Sequence, residues 1–410
     1  MAFPPEAHLL AINAGSSSIK FALFGRAAAG PAVLRGEISA IGGARSRFAV
    51  RGNAVDSFER IFPIPEHITA ANVLIEWLAG RLPPSTLAAI THRVVYGGPG
   101  CAGTQAIDAD LLGTLYASAS GEPGHLPQEI HLIEQLRRHY PGASHVACSD
   151  SGFHTTMPPE ASTLPIPRRY LERGLKRYGF HGLSCQWLMR ELARTAGDAS
   201  AAGKVVIAHL GGGSSVTAVE HGRSRDTTMG LTPAGGMMMG KRSGDLDPGL
   251  CWHLARSEQL SQARFHHMVN HQSGLLGVSG TSADLRVLLA AEASDSAAAE
   301  AVTMFCYQAR KAICAMAGAM DGIDTLIFSG GIGEHAADIR RRVVERLAHL
   351  GVVLDSDANQ AHAAVISAPA SRVCVRVMGS DEEWIMAEQT RQLLADAAAW
   401  GTSEGERRHD

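Results

Sequence analysis

Residues 9 to 24, LLAINAGSSSIKFALF, confine the start of the chain to one shape: an apolar run enters a Gly/Ser turn and a second apolar run leaves it. Leu9 to Ile12 reads as a buried strand and Ile19 to Phe24 as the strand returning beside it, with Asn13 to Ser18 as the connection. Gly15 permits a sharp backbone, and the hydroxyls of Ser16, Ser17 and Ser18 with the ammonium of Lys20 suit phosphoryl oxygens. No GK[ST] follows and no helix opens after the glycine, so this is neither a Walker A loop nor a dinucleotide fingerprint. Taken alone, the stretch also fits an ordinary Ser-rich hairpin turn.

The layout recurs. After the first hairpin comes VLRGEISAI (33 to 41), a third strand; much later, KVVIAHLGGGSSVTAVEHGRSRDTTMG (204 to 230) again reads strand, Gly/Ser turn, strand, turn, strand. Two hairpins built to meet phosphate imply a duplicated α/β unit with a nucleotide cleft between the halves, an inference from turn chemistry because the halves share little sequence. The stretch from 250 to 320, rich in Ala, Leu and Met, reads as helical core and dimer surface. Asp324 to Gly331 returns as a strand and a glycine turn, and the polar tail GTSEGERRHD reads as disordered.

A length of 410 residues allows two or three domains with large cores. The balance of 37 basic against 40 acidic residues argues against a nucleic-acid or anionic-membrane partner, so cations that bind a ligand must be local. MAFPPEAHLL lacks the regions of a secretory signal, and Ala301 to Met320, although apolar, carries Arg310 and Lys311 and reads as a buried helix. Seven scattered cysteines without a CxxC fit a reducing cytoplasm.

Several side chains stand where chemistry is often done. Arg93 ends the strand LAAITHRVV before Gly97 and Gly98, and Arg242 sits in the glycine-flanked loop GKRSGD. Each also fits a surface arginine. His181 in YGFHG and His209 in AHLGGG fit either structural or catalytic histidines. Asp150 follows the apolar strand SHVACS, a common placement for a carboxylate facing a cleft. His267 and His271, four apart, share a helix face but lack a third ligand, and read as a solvated or packed pair.

NAGSSSIK is followed in order by THRVVYGG (91 to 98), SDSGFHTTMP (149 to 158), KRYGFHGLS (176 to 184), AHLGGGSS (208 to 215), DTTMGLTPAGGMMMGKRSGDLDPG (226 to 249), SGLLGVSGTSADLR (273 to 286) and FSGGIGEH (328 to 335). This series, from Leu9 to about Ala387, closely resembles the acetate kinase family. The resemblance implies an α/β, duplicated actin-like ATPase (ribonuclease H-like) fold, of the superfamily of sugar kinases, actin and Hsp70. Its two domains, residues 1–151 with a returning helix from about 383 to 410, and residues 152–382, would flank a nucleotide cleft. It further implies reversible in-line phosphoryl transfer from ATP to acetate, giving acetyl phosphate and ADP, by a cytoplasmic homodimer using Mg²⁺ or Mn²⁺.

The same resemblance implies roles. Arg93 and Arg242 would bind carboxyl and phosphoryl groups, His181 would stabilise the transferring phosphate, and Val95, Phe180 and Pro233 would wall the methyl pocket. Ser16, Ser18, Lys20, His209, Leu210, Gly211, Gly212 and Gly213 would hold phosphates. Asp284, Leu285 and Arg286, with Gly330, Gly331, Ile332, Gly333 and Glu334, would lie on the adenosine side; Asn13 and Glu382 would bind the metal. The family aspartate at Asp150 is usually given an acid or base role, but a small carboxylic acid has a pKa of about 4 and is already ionised at pH 7. Asp150 is therefore read as organising Mg²⁺, its waters and Arg93.

Departures bear on substrate. Gly212, His335 and Asp381 stand where asparagine is usual, and Tyr96 where histidine is usual. In ASGEPGHLP (119 to 127), Gly124 takes the place of a leucine that walls the methyl pocket, widening it by more than one methylene, each worth about 0.8 kcal/mol. A propionate or butyrate kinase is thus the near alternative, and a nucleotide-binding homologue without transfer the distant one. A sugar kinase fits less well, since it needs an aspartate base on a neutral hydroxyl whereas two arginines here await an anion.

Overall fold

Pairing in the first hairpin runs further than the apolar runs alone indicate. In the computed structural model, which describes residues 8–15, 17–25, 30–52, 57–119 and 126–406, β1 (His8–Ala14) pairs antiparallel with β2 (Ser18–Gly25). Gly15 N donates to Ser18 O at 2.8 Å, so the connection shrinks to residues 15–17 and Asn13 stays in the ladder opposite Lys20. The ladder extends because each added pair satisfies two backbone groups, until the chain must reverse at the glycine. Ser16 and Gly124 lie outside the described residues.

The meander continues through β3 (Leu34–Ser39), β4 (Ser46–Gly52) and β5 (Phe58–Phe62). β6 (Leu87–Val94) joins β1 in parallel, and β7 (Thr104–Ala106) and β8 (Ser144–Ser149) complete the order β5-β4-β3-β2-β1-β6-β8-β7. One face buries Leu10, Ile12, Phe21 and Leu23 against Leu74 and Leu78 of the helix His67–Ala79 and Leu132 and Leu136 of the helix Leu126–His139. The C-terminal helix Glu382–Glu406 returns to β1, β2 and β6 with Trp384, Ile385, Met386 and Ala387 buried. Its backbone is helical through Glu406, into the segment expected to be disordered.

A second sheet holds β9 (Lys204–Leu210), β10 (Ser214–Glu220), β11 (Arg223–Thr227), β12 (Thr325–Ser329) and β13 (Cys374–Val377), in the order β11-β10-β9-β12-β13. Three antiparallel strands lead into two parallel ones, and β3-β2-β1-β6-β8 repeats that order and those senses. The duplicated α/β fold expected from two Gly/Ser hairpins is therefore present as two copies of one topology. The helix Ser296–Gly318, capped by Asp295, buries Val302, Phe305, Ala309 and Ile313 on one stripe, while Arg310 Nε donates to Val343 O at 3.0 Å. Among the described residues no helix is long and apolar enough to cross a membrane.

The chain separates into two compact units, one of residues up to Gly152 together with those from Asp381 onward, the other Phe153–Ser380. None of the seven cysteines forms a disulfide among the described residues.

Candidate active site

In the first unit, strand ends bring four of the expected residues together. Asn13 is the penultimate residue of β1, Arg93 lies near the end of β6, Asp150 follows β8 with its N–H donated to Val94 O at 2.9 Å, and Glu382 opens the C-terminal helix. Arg93 Nη2 donates to Asp150 Oδ2 at 2.8 Å and Nη1 to Asn13 Oδ1 at 3.2 Å. Asn13 Nδ2 in turn donates to Glu382 Oε2 at 2.8 Å and to Glu383 Oε1 at 3.0 Å. Burial alone would lower the pKa of Arg93, but Asp150 and Glu382 more than offset this and raise it, so the guanidinium stays charged. Burial first, and then Glu382, push the Glu383 carboxyl up against the pull of Lys20 and Asn13.

Asp150 Oδ1 is buried and has no hydrogen-bond partner among the described residues. An orphaned buried carboxylate oxygen needs a positive or proton-donating ligand. With Glu382 and the amide oxygen of Asn13 it would make an all-oxygen donor set, the chemistry that suits Mg²⁺ better than a softer metal. No group of three or more His, Cys, Asp or Glu poised to hold a metal occurs among the described residues.

In the second unit the convergence is around Gly213. A Cβ there would sit 3.4 Å from His181 Nε2 and 3.8 Å from Arg242 Nη1, so both groups lie against the GGGSS turn. His181 caps the helix Gly182–Ala196 in the left-handed region, φ 59°, a conformation costing about 1–2 kcal/mol for a side-chain-bearing residue. Its Nδ1 lies 3.0 Å from Ser215 Oγ and its ring 4.5 Å from that of His209, one residue of a cross-strand pair with Ser215. Arg242 Nη1 also donates to Pro233 O at 3.4 Å.

The two glycine turns of this unit meet. A Cβ on Gly211 would lie 3.9 Å from Gly331 N, and one on Gly330, at φ +75°, would lie 2.6 Å from Leu210 O. Gly212, in place of the usual asparagine, has open space where a side chain would stand. Asp284 caps the helix Leu285–Ala291 and clasps Arg286 at 2.6 Å, with Arg286 mostly exposed and Leu285 in the core. Ile332 is partly buried against that core, Gly333 is buried, and Glu334 is half-buried.

Other expected residues sit differently. Val95 and Phe180 are almost wholly enclosed, at 3% and 1% exposure, and Pro233 is buried, so none offers much surface in this conformation. Lys20 is exposed and lines a cavity of about 360 Å³ with Arg35, Arg51 and Glu383, while Ser18 is half-buried at the start of β2. Asp381 pairs with Arg35 of β3, Nη1 at 3.0 Å, and its Oδ1 accepts from Trp384 N. His267 and His271 form an exposed ring pair, 5.0 Å between centroids, without a metal cluster. Glu383, Arg35 and Ser215 went unread in the sequence. Glu383 had a signal in its adjacency to Glu382, and Ser215 in its place in the turn; Arg35 had none.

A duplicated α/β fold with arginine, histidine and glycine turns gathered at its strand ends fits a phosphoryl-transfer enzyme, and similarity to known proteins makes it a kinase. The Acetokinase family profile matches residues 8–388. The acetate kinase of Rhodopseudomonas palustris (strain TIE-1) is 40% identical over 391 residues, 94% of this chain and 98% of that protein. The propionate kinase of Escherichia fergusonii is 37% identical over 390 residues, 94% and 96% of the two chains. Among solved structures, Porphyromonas gingivalis acetate kinase superposes with a TM-score of 0.82 at 31% identity, covering 95% of this chain and 100% of that one. A propionate kinase from Francisella tularensis gives 0.85 at 31% identity, covering 93% and 98%. The chain belongs to the acetokinase family.

Proposed function

We propose that the protein is an acetate kinase, transferring the terminal phosphoryl group of ATP reversibly and in line to acetate, with acetyl phosphate and ADP as products. The observation that carries this reading is the Glu382–Asn13–Arg93–Asp150 chain of hydrogen bonds. It fixes a permanently charged planar fork beside a buried carboxylate, the arrangement needed to hold an anionic acceptor without removing a proton from it. Arg242 and His181 Nε2, at the Gly213 backbone, supply donors to a transferring phosphoryl group, whose transition state spreads charge over three oxygens. Backbone at Gly211, Gly330 and Gly331 takes the nucleotide, and Asp284 and Arg286 its adenosine side.

Glu382, Asn13 and Asp150 are the residues that would hold Mg²⁺ or its waters, and the ion when bound neutralises polyphosphate charge. Asp150 then positions rather than shuttles protons. A homodimer is the proposed assembly, supported by the helices Pro248–Ser257 and Gln262–His271, which bury no residue and leave Trp252 68% exposed. Seven cysteines without a disulfide among the described residues accord with a cytoplasmic setting.

The second reading, a kinase for propionate or butyrate, is favoured by similarity to propionate kinases at 37% identity and by Gly124 in the family's leucine position. Hydroxamate trapping with ATP, Mg²⁺ and acids from formate to valerate tests both. The highest kcat/KM with acetate supports the first reading, and the highest with propionate or butyrate supports the second. No acyl phosphate from any acid refutes both and leaves a nucleotide-binding homologue.

A further inference from the structure

Arg340, on the helix Ala337–Val344, is the bulkiest fully buried side chain among the described residues. Its Nε donates to Asn359 Oδ1 at 2.8 Å and Nη2 to Asn359 O at 2.8 Å, while Nη1 donates to Gly333 O at 2.8 Å and Glu334 O at 2.9 Å. Nη2 also lies 3.2 Å from His362 Nδ1, which is itself 2.9 Å from Glu334 O. Asn359 is anchored in turn through Nδ2 to Ala337 O at 2.9 Å. None of these partners is a carboxylate.

Burying a guanidinium without a counter-ion costs several kcal/mol, and an apolar side chain of similar volume often serves stability as well or better. What an apolar side chain cannot supply is the geometry. The fork grips two consecutive carbonyls, Gly333 and Glu334, at the end of a turn whose beginning, Gly330 and Gly331, sits against Leu210 and Gly211. A shift at the gripped end has little room to relax at the other, because Gly330 is in the left-handed region at a place where an added Cβ would lie 2.6 Å from Leu210 O.

We propose that Arg340 is a positioning residue for nucleotide binding, holding the Gly330–Glu334 segment in the register that presents its backbone to the nucleotide. This rests on the reading of that segment as nucleotide-contacting. The consequence is a split in kinetic effect, with the nucleotide weakened and the carboxylic acid untouched. Arg340→Lys keeps the charge but loses the fork, Arg340→Met loses both, and Asn359→Ala frees one side of the guanidinium.

The test is calorimetric titration of each variant with ADP and Mg²⁺, steady-state KM for ATP and for acetate, and hydrogen exchange of residues 330–335 in the wild type with and without ADP. Arg340→Lys and Asn359→Ala are expected to bind ADP about 10-fold more weakly, with KM for ATP rising in parallel and KM for acetate unchanged. If ADP protects residues 330–335 yet the folded Lys and Asn359→Ala variants bind ADP as the wild type does, Arg340 is a structural residue only and the proposal is overturned. If ADP gives those amides no protection in the wild type, the nucleotide reading of the segment fails first and the proposal falls with it. Should Arg340→Met not fold, the other two variants still decide.

Discussion

Arg93 and Asp150 hold each other with side-chain exposures of 13% and 1%, so neither can lose its partner cheaply. Arg93→Ala leaves a carboxylate buried and unpaired, which costs about 3–5 kcal/mol, and it also removes a charged donor worth about 10²-fold in turnover. Urea unfolding and single-substrate kinetics measure the two losses separately; a variant of wild-type stability and near-normal rate would remove Arg93 from the site. Asp150→Asn keeps the shape while discarding the charge. It is expected to raise the Mg²⁺ concentration for half-maximal rate without deleting any ionisation near neutrality from the pH profile. Loss of an acidic limb at unchanged Mg²⁺ dependence would instead make Asp150 a base. At this scale the sequence exposed residues at strand ends and in glycine turns, because chain reversal and charge leave a local signature. It did not expose Glu383 or Arg35, whose partners lie hundreds of positions away or across two strands.

Elements carry two further consequences. Gly330 turns β12 into the helix Gly330–His335 at φ +75°, and a Cβ there would lie 2.6 Å from Leu210 O. Gly330→Ala is therefore expected to lose at least about 1–2 kcal/mol from the left-handed backbone alone, visible as a lower thermal midpoint. An unchanged midpoint would mean that the turn relaxes without cost. Between β6 and β8, His92 Nε2 stands 3.1 Å from His145 Nδ1, and His145 Nε2 is 3.3 Å from Tyr140 O. Burial, reinforced for His92 by His145 and for both by Arg137, lowers both pKa values, His92 far more than an exposed histidine. The folded protein thus resists protons that the unfolded chain accepts below its ordinary histidine pKa of about 6.5. Stability is full above that value and is lost as pH falls from it toward the lowered folded values. Thermal midpoints from pH 7.5 to 5.5 should drop, and drop less in His145→Gln. The strand pattern was legible from period-2 apolarity, whereas the true hairpin boundaries were not, since the strands take in polar Asn13 and Ser18 from the expected connection.

Over the whole molecule, the duplication was readable only through the turn chemistry of two separated Gly/Ser hairpins and the family resemblance, since the halves share little sequence, and the strand order itself needed the fold. The burial of Val95 and Phe180 was not readable, since enclosure depends on neighbours brought in by the fold. The first unit is assembled from two stretches of chain, and the helix Glu382–Glu406 both covers its sheet and provides the acceptors for Asn13. A chain ended after Ser380 should expose β1, β2 and β6 and lose several buried side chains worth about 1.5–3 kcal/mol each. Limited proteolysis of that chain is expected to digest the first unit while a fragment of the uninterrupted second unit, Phe153–Ser380, survives. Equal resistance of both units would show that the helix is dispensable.

This interleaving also sets a timetable at the ribosome. The strands of the first sheet emerge early, but the helix that completes them follows only after Phe153–Ser380 has been translated. At about 5–20 residues per second, the uncovered β-sheet waits on the order of ten seconds or more beside a neighbour that can already fold. Nascent chains stalled near Ser380 should accordingly engage chaperones through their earliest strands, and release from that hold should coincide with emergence of the last helix.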